Sequence, residues 1–306
     1  MFKRIGLFIL VNILVMVVAN IVISLVVGFL GLGPTMTANG INYSTLMVIC
    51  LVWGMAGSFV SLLISKWMAK RAYGVEIVST TGPYGELVRK VHEFAKRAGI
   101  EKMPEVGIYH SPEINAFATG ATKNSSMVAV STGLLEKMNT DEAEGVLGHE
   151  VAHIANGDMV TLALVQGVVN AFVMFFARIA TIAIDNLMRG NDDNGKGLGW
   201  IAYMVIYNVL YTVFSILAAP IVFGFSRYRE YRADSGGATL AGKQKMIAAL
   251  EALKRNYNNL DQFDDGIQRD SSVRAMQISS RMSWTEMFST HPTLDKRIEK
   301  LKQLPV

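Results

Sequence analysis

A single cysteine, Cys50, stands in the whole chain, which excludes a disulfide framework and any zinc site built on thiolates. Cys50 falls in an apolar stretch and reads as a packed or lipid-facing residue. Charge is missing on a larger scale: between Arg4 and Lys66 there is no Asp, Glu, Lys or Arg. No buried core helix runs that long. A bilayer span takes about 20 apolar residues, and this run holds two of them, roughly Ile5–Leu30 and Ile41–Ile64, turning through Gly31-Leu32-Gly33-Pro34 and Ala38-Asn39-Gly40. The positive start at Lys3 and Arg4 also suits a cleaved signal peptide, but the apolar stretch is too long for one and a second follows directly. An uncleaved hairpin is expected. Repeats and low-complexity tracts are absent too.

Two later stretches are apolar. Met159–Ala177 is uncharged, Arg178 interrupts, and Ile179–Ile184 resumes; Gly197–Ser226 is uncharged throughout, with Pro220 near its end. The first uncharged piece is about 28 Å long as a helix, close to one bilayer core. Arg178 snorkels, lines a polar cavity, or marks a pair that is only partly embedded. Gln166 and Asn170, one turn apart, suit hydrogen bonding between spans. Four spans are expected, and basic residues orient them. Lys3 and Arg4 precede the first; Lys66, Lys70 and Arg71 follow the second; Arg227, Arg229 and Arg232 follow the fourth, while the first connection carries no charge. Both termini and the soluble segments are therefore expected in the cytoplasm. The net charge of +4 is accounted for by these flanking residues and gives no reason to invoke nucleic acid.

About 170 residues remain for one soluble domain, in two parts. The expected organisation is a membrane hairpin over 1–67, a first soluble part over 68–157, a second hairpin over 158–226 and a second soluble part over 227–306. Gly85–Ala98 has helical periodicity, Glu105–Tyr109 reads as a strand after Pro104, and Asn115–Thr119 with Ser126–Ser131 reads as a hairpin. Thr140 is the expected N-cap of a helix with Asp141, Glu142 and Glu144 in its first turn. After Asn258 the chain turns polar through Ser272 and reads as an exposed loop. The Gly157-Asp158 step is either a hinge or helix running on, and Asp158 is either an interfacial acid or a support for a ligand. The class is mainly α with a small β-sheet: four transmembrane helices and a cytoplasmic domain.

The chemistry rests on His149-Glu150-Val151-Ala152-His153. Histidines four apart on a helix share a face and supply half of a tetrahedral zinc site, while the intervening glutamate reaches a bound water without being a ligand. A catalytic zinc needs a third protein ligand and keeps its fourth position for water. Of the five histidines, His92 and His110 read as ordinary surface or core residues. Glu230 is the better third ligand on topology: His153 lies just before the third span and Glu230 just after the fourth, and antiparallel neighbours bring those ends to one face. Asp234, at i+4 from Glu230, would then orient a ligand. On spacing alone, Arg227–Asp234 reads equally well as a charged juxtamembrane turn.

Three separated motifs together resemble the HtpX-type membrane zinc metallopeptidases, and more distantly the CAAX prenyl endopeptidases. They are His149–His153, then Arg229-Glu230-Tyr231-Arg232-Ala233-Asp234, then His291-Pro292-Thr293-Leu294-Asp295-Lys296-Arg297; the likeness covers essentially the whole chain. The resemblance implies that the cytoplasmic domain is zincin-like, with one zinc ion per chain held by His149, His153 and Glu230 and with Glu150 as catalytic base. It implies that Asn115-Ala116-Phe117-Ala118 is a strand beside the cleft and that His291 lies close to the reacting carbonyl. Arg297 is a weaker candidate for contacting the oxyanion. It further implies proteolysis of damaged or misassembled membrane proteins at the cytoplasmic face of a bacterial-type inner membrane, with the bilayer, protein substrates and quality-control proteins as partners. Two rivals follow from other readings of the same residues: an intramembrane protease of the site-2 type, and a non-catalytic membrane scaffold or holdase. The polar, acidic start of the motif helix places the zinc at the membrane surface, against the first; no motif position is degenerate, against the second.

Overall fold

The computed structural model describes residues 40–189, 197–264 and 291–305, with a few residues before position 40 (21, 24–26, 28–31 and 36–37). The first expected span and, from residue 265 onward, the loop expected through Ser272 therefore lie largely outside the described residues. By their contacts the described residues form two compact units, one of Met1–Ser61 with Ala163–Val222, the other of Leu62–Leu162 with Phe223–Val306.

Helix α1 runs Tyr43–Tyr73, and Lys66, Lys70 and Arg71 near its end supply the expected positive flank. A four-stranded sheet follows, made of β1 (Glu76–Ile77), β2 (Glu105–Tyr109), β3 (Ala116–Gly120) and β4 (Ser126–Ser131). Helix α2 (Gly85–Arg97) lies between β1 and β2 in the chain. The strand order is β1-β2-β4-β3, with β2 and β4 parallel and the outer pairs antiparallel, so β3 is an edge strand. Every residue of β4 is buried, as expected for a strand covered on both faces. Val128 and Val130 face the core with Val106, Val91 and Phe94, whereas Met127 and Ala129 lie on the other face with Tyr109, packed by Ala69, Val75 and Phe117. Tyr73 closes that face, its ring 5.4 Å from Tyr109 and 5.2 Å from Phe117.

Helices α3 (Thr132–Lys137) and α4 (Thr140–Asn156) come next. The N-cap of α4 is Asn139, not Thr140: its side chain accepts from Glu142 N at 3.0 Å while Glu142 accepts from Asn139 N at 3.0 Å, a reciprocal capping box. Gly157, at φ 68°, ends α4 in the left-handed conformation that glycine adopts without strain, and α5 (Asp158–Arg189) starts at the next residue. The helix does not run on through Gly157.

Helix α6 spans Trp200–Ala241 without a break at Pro220. Its 42 residues amount to about 63 Å, twice a bilayer core of about 30 Å, so the stretch from Arg227 onward belongs to the second unit. Arg227–Asp234 is thus interior helix rather than a turn. Helix α7 (Lys243–Asp264) carries on past Asn258, where a loop was expected, and α8 (Leu294–Gln303) closes the fold. α1, α5 and α6 are the three helices among the described residues long and apolar enough to cross a membrane.

Within the membrane unit, α1 and α5 touch backbone to backbone: a Cβ on Gly54 would lie 2.6 Å from Gly167 O and 2.7 Å from Ala171 N. Small residues permit such crossings where no hydrophobic drive between helices exists. Gln166 donates to Asn170 at 2.9 Å along its own helix, rather than to a neighbouring span. Cys50 is buried against Leu46 and Ala171. The Arg178 guanidinium lies over the Tyr207 ring, 4.9 Å from its centroid, which offsets part of the cost of its charge.

Candidate metal centre

Glycines determine how closely the site's helices approach. A Cβ on Gly237 of α6 would stand 3.0 Å from His149 N, one on Gly236 2.7 Å from Ala152 Cβ, and one on Gly148 of α4 3.0 Å from Ala241 Cβ. A Cβ on Gly145 would meet Lys245 O of α7 at 2.3 Å. Glycine within a helix costs about 1 kcal/mol against alanine, so this cluster marks a place where close contact is required. That cost is the signal in the sequence that could have found these residues.

The close approach brings His149 and His153 of α4 against Glu230 of α6. The two Nε2 atoms are 3.1 Å apart; His149 Nε2 lies 3.6 Å from one Glu230 oxygen and His153 Nε2 3.4 Å from the other. Among the described residues these three could hold a metal ion, their ligand atoms all lying within 4.8 Å of one another. A tetrahedral zinc with bonds of about 2.0–2.1 Å sets its donors about 3.3–3.4 Å apart. The donor set and its spacing fit that ion.

The remaining ring nitrogens are engaged by carboxylates. His149 Nδ1 is 3.0 Å from Asp234 Oδ1, and His153 Nδ1 is 2.6 Å from Asp158 Oδ2. A carboxylate at Nδ1 takes that N–H and leaves the Nε2 lone pair for a metal, in a fixed orientation. Asp234 makes this contact from the same helix as Glu230, and Asp158 from the first residue of α5. Burial opposes charge on His149, yet its bonds to Asp234 and Glu230 outweigh this and raise its pKa. His153 behaves alike: burial lowers its pKa, but Asp158 and Glu230 lift it to about 9. Glu230 lies beyond the apolar part of α6; burial would raise its pKa, but the three histidines around it hold the carboxyl far below its ordinary range.

His291 reaches Glu230 with Nδ1 at 3.0 Å from Oε2, its ring largely exposed. Arg297 of α8 is buried and forked onto Asp234, with Nε donating to Oδ2 at 2.9 Å and Nη2 to Oδ1 at 2.6 Å. Its Nη1 lies 3.4 Å from Glu230 Oε2. This guanidinium thus sits among the carboxylates that contact the histidines.

A cleft of about 790 Å³ opens beside the centre and is lined by Asn115, Ala116, His149, Glu150, Glu230 and His291, among others. Leu134, Val146, Met246, Leu250 and Leu253 make its apolar part. Of the expected substrate strand, Asn115 and Ala116 line the cleft and Ala118 packs on the core; Phe117 alternates to the opposite face and stacks on Tyr109. His92 and His110 are elsewhere: the His92 ring contacts Pro104 O at 3.1 Å, and His110 is exposed beyond β2.

A helix-borne histidine pair closed by a carboxylate from a second helix, with a glutamate in the adjoining cleft, is the plan of a metal-dependent peptidase. The chain belongs to peptidase family M48, whose profile matches residues 83–304. It is 50% identical over 306 residues to Protease HtpX of Acinetobacter baumannii (strain AYE), covering 98% of each chain. It is likewise 50% identical over 305 residues to Protease HtpX of Shewanella pealeana, covering 98% of this chain and 99% of that one. A Protease HtpX homolog of Bacillus licheniformis is 49% identical over 306 residues, covering 98% and 99%. The crystal structure of S. mikatae Ste24p shares the fold at a TM-score of 0.58 and 20% identity, over 84% of this chain and 58% of that one. The protein is a membrane metallopeptidase.

Proposed function

We propose that this chain is a zinc-dependent endopeptidase that cuts misfolded or damaged membrane proteins at the cytoplasmic face of a bacterial inner membrane. His149, His153 and Glu230 are its ligands and Glu150 its general base. The observation that carries the reading is the convergence of three buried metal-ligand side chains from two helices, with donor spacings of 3.1, 3.4 and 3.6 Å, close to those a tetrahedral zinc requires. A zinc ion held by these three residues would supply Lewis acidity to the reaction. The Glu150 carboxylate takes the proton of the attacking water and passes it to the leaving amine. His291, lining the same cleft, donates to the developing oxyanion; with Nδ1 on Glu230, donation from the other nitrogen requires the doubly protonated ring. An extended substrate adds alongside the edge strand β3, held mainly through its backbone, which suits a protease of broad sequence tolerance.

The cytoplasmic placement is supported by Lys66, Lys70, Arg71, Arg227, Arg229 and Arg232, all of which lie in the unit that carries the centre. The proposed division is two membrane hairpins, 1–67 and 158–226, and two catalytic segments, 68–157 and 227–306. The test is zinc content and cleavage of an unfolded protein in mild detergent, after purification under chelator and addition of zinc, for wild type and Glu150→Gln. One zinc in each, with cleavage by wild type alone, is the expected result. No zinc in either would overturn the ligand set; zinc without cleavage in wild type would favour the scaffold.

A further inference from the structure

We infer that Arg229 is a positioning residue for the metal centre, acting through the α4–α5 junction; this rests on the ligand set proposed above. The chain passes from the histidine helix α4 to the membrane helix α5 through one residue, Gly157, held in the left-handed conformation. Asp158, the residue after it, carries the carboxylate on His153 Nδ1 at 2.6 Å. Any rotation at Gly157 therefore shifts Asp158 against His153.

Two arginines of α6 restrain that rotation. Arg229 Nη1 donates to the Asp158 carbonyl at 3.1 Å, and Arg232 Nη2 donates to Asn156 Oδ1 at 3.4 Å. They stand three apart on one helix face, to either side of Glu230 in sequence, and land on the residues to either side of Gly157. The helical turn that supplies the third ligand thus also grips the junction that orients the second.

Ordinary juxtamembrane basicity does not account for Arg229. Its Nε is buried and has no hydrogen-bond partner among the described residues, which costs stability. Its guanidinium also places a positive charge 3.1 Å from the carbonyl of the residue that contacts His153, and a positive charge there would disfavour a cation held by that histidine. Both penalties are tolerated because the contact to Asp158 sets geometry. Arg232 is more exposed and its contact longer, so it contributes less.

The two effects predict opposite signs. Charge alone makes Arg229→Gln bind zinc more tightly; loss of positioning makes it bind more weakly. Removing a group that orients a ligand costs about 10–100-fold in metal affinity, and we expect the lower end, about tenfold, for one acting a step further out. The measurement is competition for zinc against a chromophoric chelator, using the full chain in detergent, together with the visible absorption of the cobalt-substituted protein and the melting of the metal-free protein. Arg229→Gln is expected to lose affinity and alter the cobalt spectrum with unchanged metal-free melting. Arg229→Lys, which keeps a charged donor on a chain of similar length for the Asp158 carbonyl, is expected to recover most of the affinity; Arg229→Met, which keeps the length of the chain and has no donor, takes the place of the glutamine variant if that one does not fold and is expected to lose affinity likewise. Unchanged or tighter binding in Arg229→Gln overturns the inference, as does a loss of affinity matched by lower metal-free melting, which would make Arg229 a residue of the fold. Failure of wild type to bind zinc, or full binding by Glu230→Ala, overturns the ligand set itself and is read from those proteins alone.

Discussion

Replacing Arg297 by leucine tests whether α8 is tied to the centre by charge. The guanidinium is buried and holds both oxygens of Asp234, at 2.9 and 2.6 Å, across 63 residues of sequence. Its removal leaves the Asp234 carboxylate buried, with His149 Nδ1 at 3.0 Å as its remaining partner. Breaking a buried pair on one side costs about 3–5 kcal/mol, chiefly through the charge left behind. For a domain of this size each kcal/mol is worth about 2–4 °C, so melting should fall by about 6–20 °C. The assay is thermal unfolding of the chelator-treated protein in detergent at fixed scan rate, which removes the contribution of metal binding. The double variant Arg297→Leu, Asp234→Asn removes the orphaned charge and should recover at least about 1.5 kcal/mol of the loss. Burial opposes charge on Asp234, but Arg297 and His149 outweigh it and lower its pKa. A carboxylate whose folded pKa is depressed contributes fully above its unfolded value of about 3.9 and loses that contribution as pH falls through the folded one. With the guanidinium gone, His149 alone opposes the effect of burial, so the Asp234 pKa is higher in Arg297→Leu than in wild type; the effect of the replacement should persist at neutral pH and shrink as pH falls through that higher pKa. A melting change under about 2 °C, or strict additivity in the double variant, would refute the reasoning.

Four further outcomes are expected. Glu150→Gln should keep one zinc while turnover falls by about 10²–10⁴-fold, measured by metal analysis beside a cleavage assay. Gly145→Val would drive a side chain into Lys245 O, where a Cβ already stands at 2.3 Å; a loss of about 1–3 kcal/mol is expected in denaturant unfolding, and a neutral result would mean that α4 and α7 are not in close contact. Asn139→Ala removes the capping box of α4 and should cost about 1 kcal/mol, whereas Asn139→Asp should be nearly silent in the same melts. Glu105 sits between Lys66 at 2.8 Å and Lys70 at 2.6 Å but is substantially exposed, so Glu105→Gln should change melting by no more than about 1 kcal/mol; a larger loss would reveal a buried role for the α1–β2 contact.

The parts of this molecule legible in its sequence are those governed by short-range periodicity. Glu105–Tyr109 and Ser126–Ser131 appear as strands with the bounds expected from their apolar runs, and Gly85–Arg97 as the expected helix. Histidines four apart share a face on any α-helix, so the pair at 149 and 153 needed no tertiary information. Boundaries governed by side-chain chemistry were harder. Asn139 took the cap from Thr140 because it alone stands three residues before Glu142, and reciprocal bonding outweighs the preference of a single residue. Charge density suggests a turn at Arg227–Asp234 and polarity a loop after Asn258, yet the chain is helical over the first and through Asp264 in the second; in the first, arginine, glutamate and alanine are good helix formers whatever their polarity, and the rest of the expected loop lies outside the described residues. Hardest of all were contacts between residues far apart in the chain. Arg297 braces Asp234, and Arg229 reaches back across 71 residues to Asp158; no spacing rule connects those pairs. Their one trace is indirect: glycines at 145, 148, 236 and 237 weaken the helices they occupy. A sequence accepts that cost where two backbones must come close, and here those backbones carry the two histidines and the glutamate.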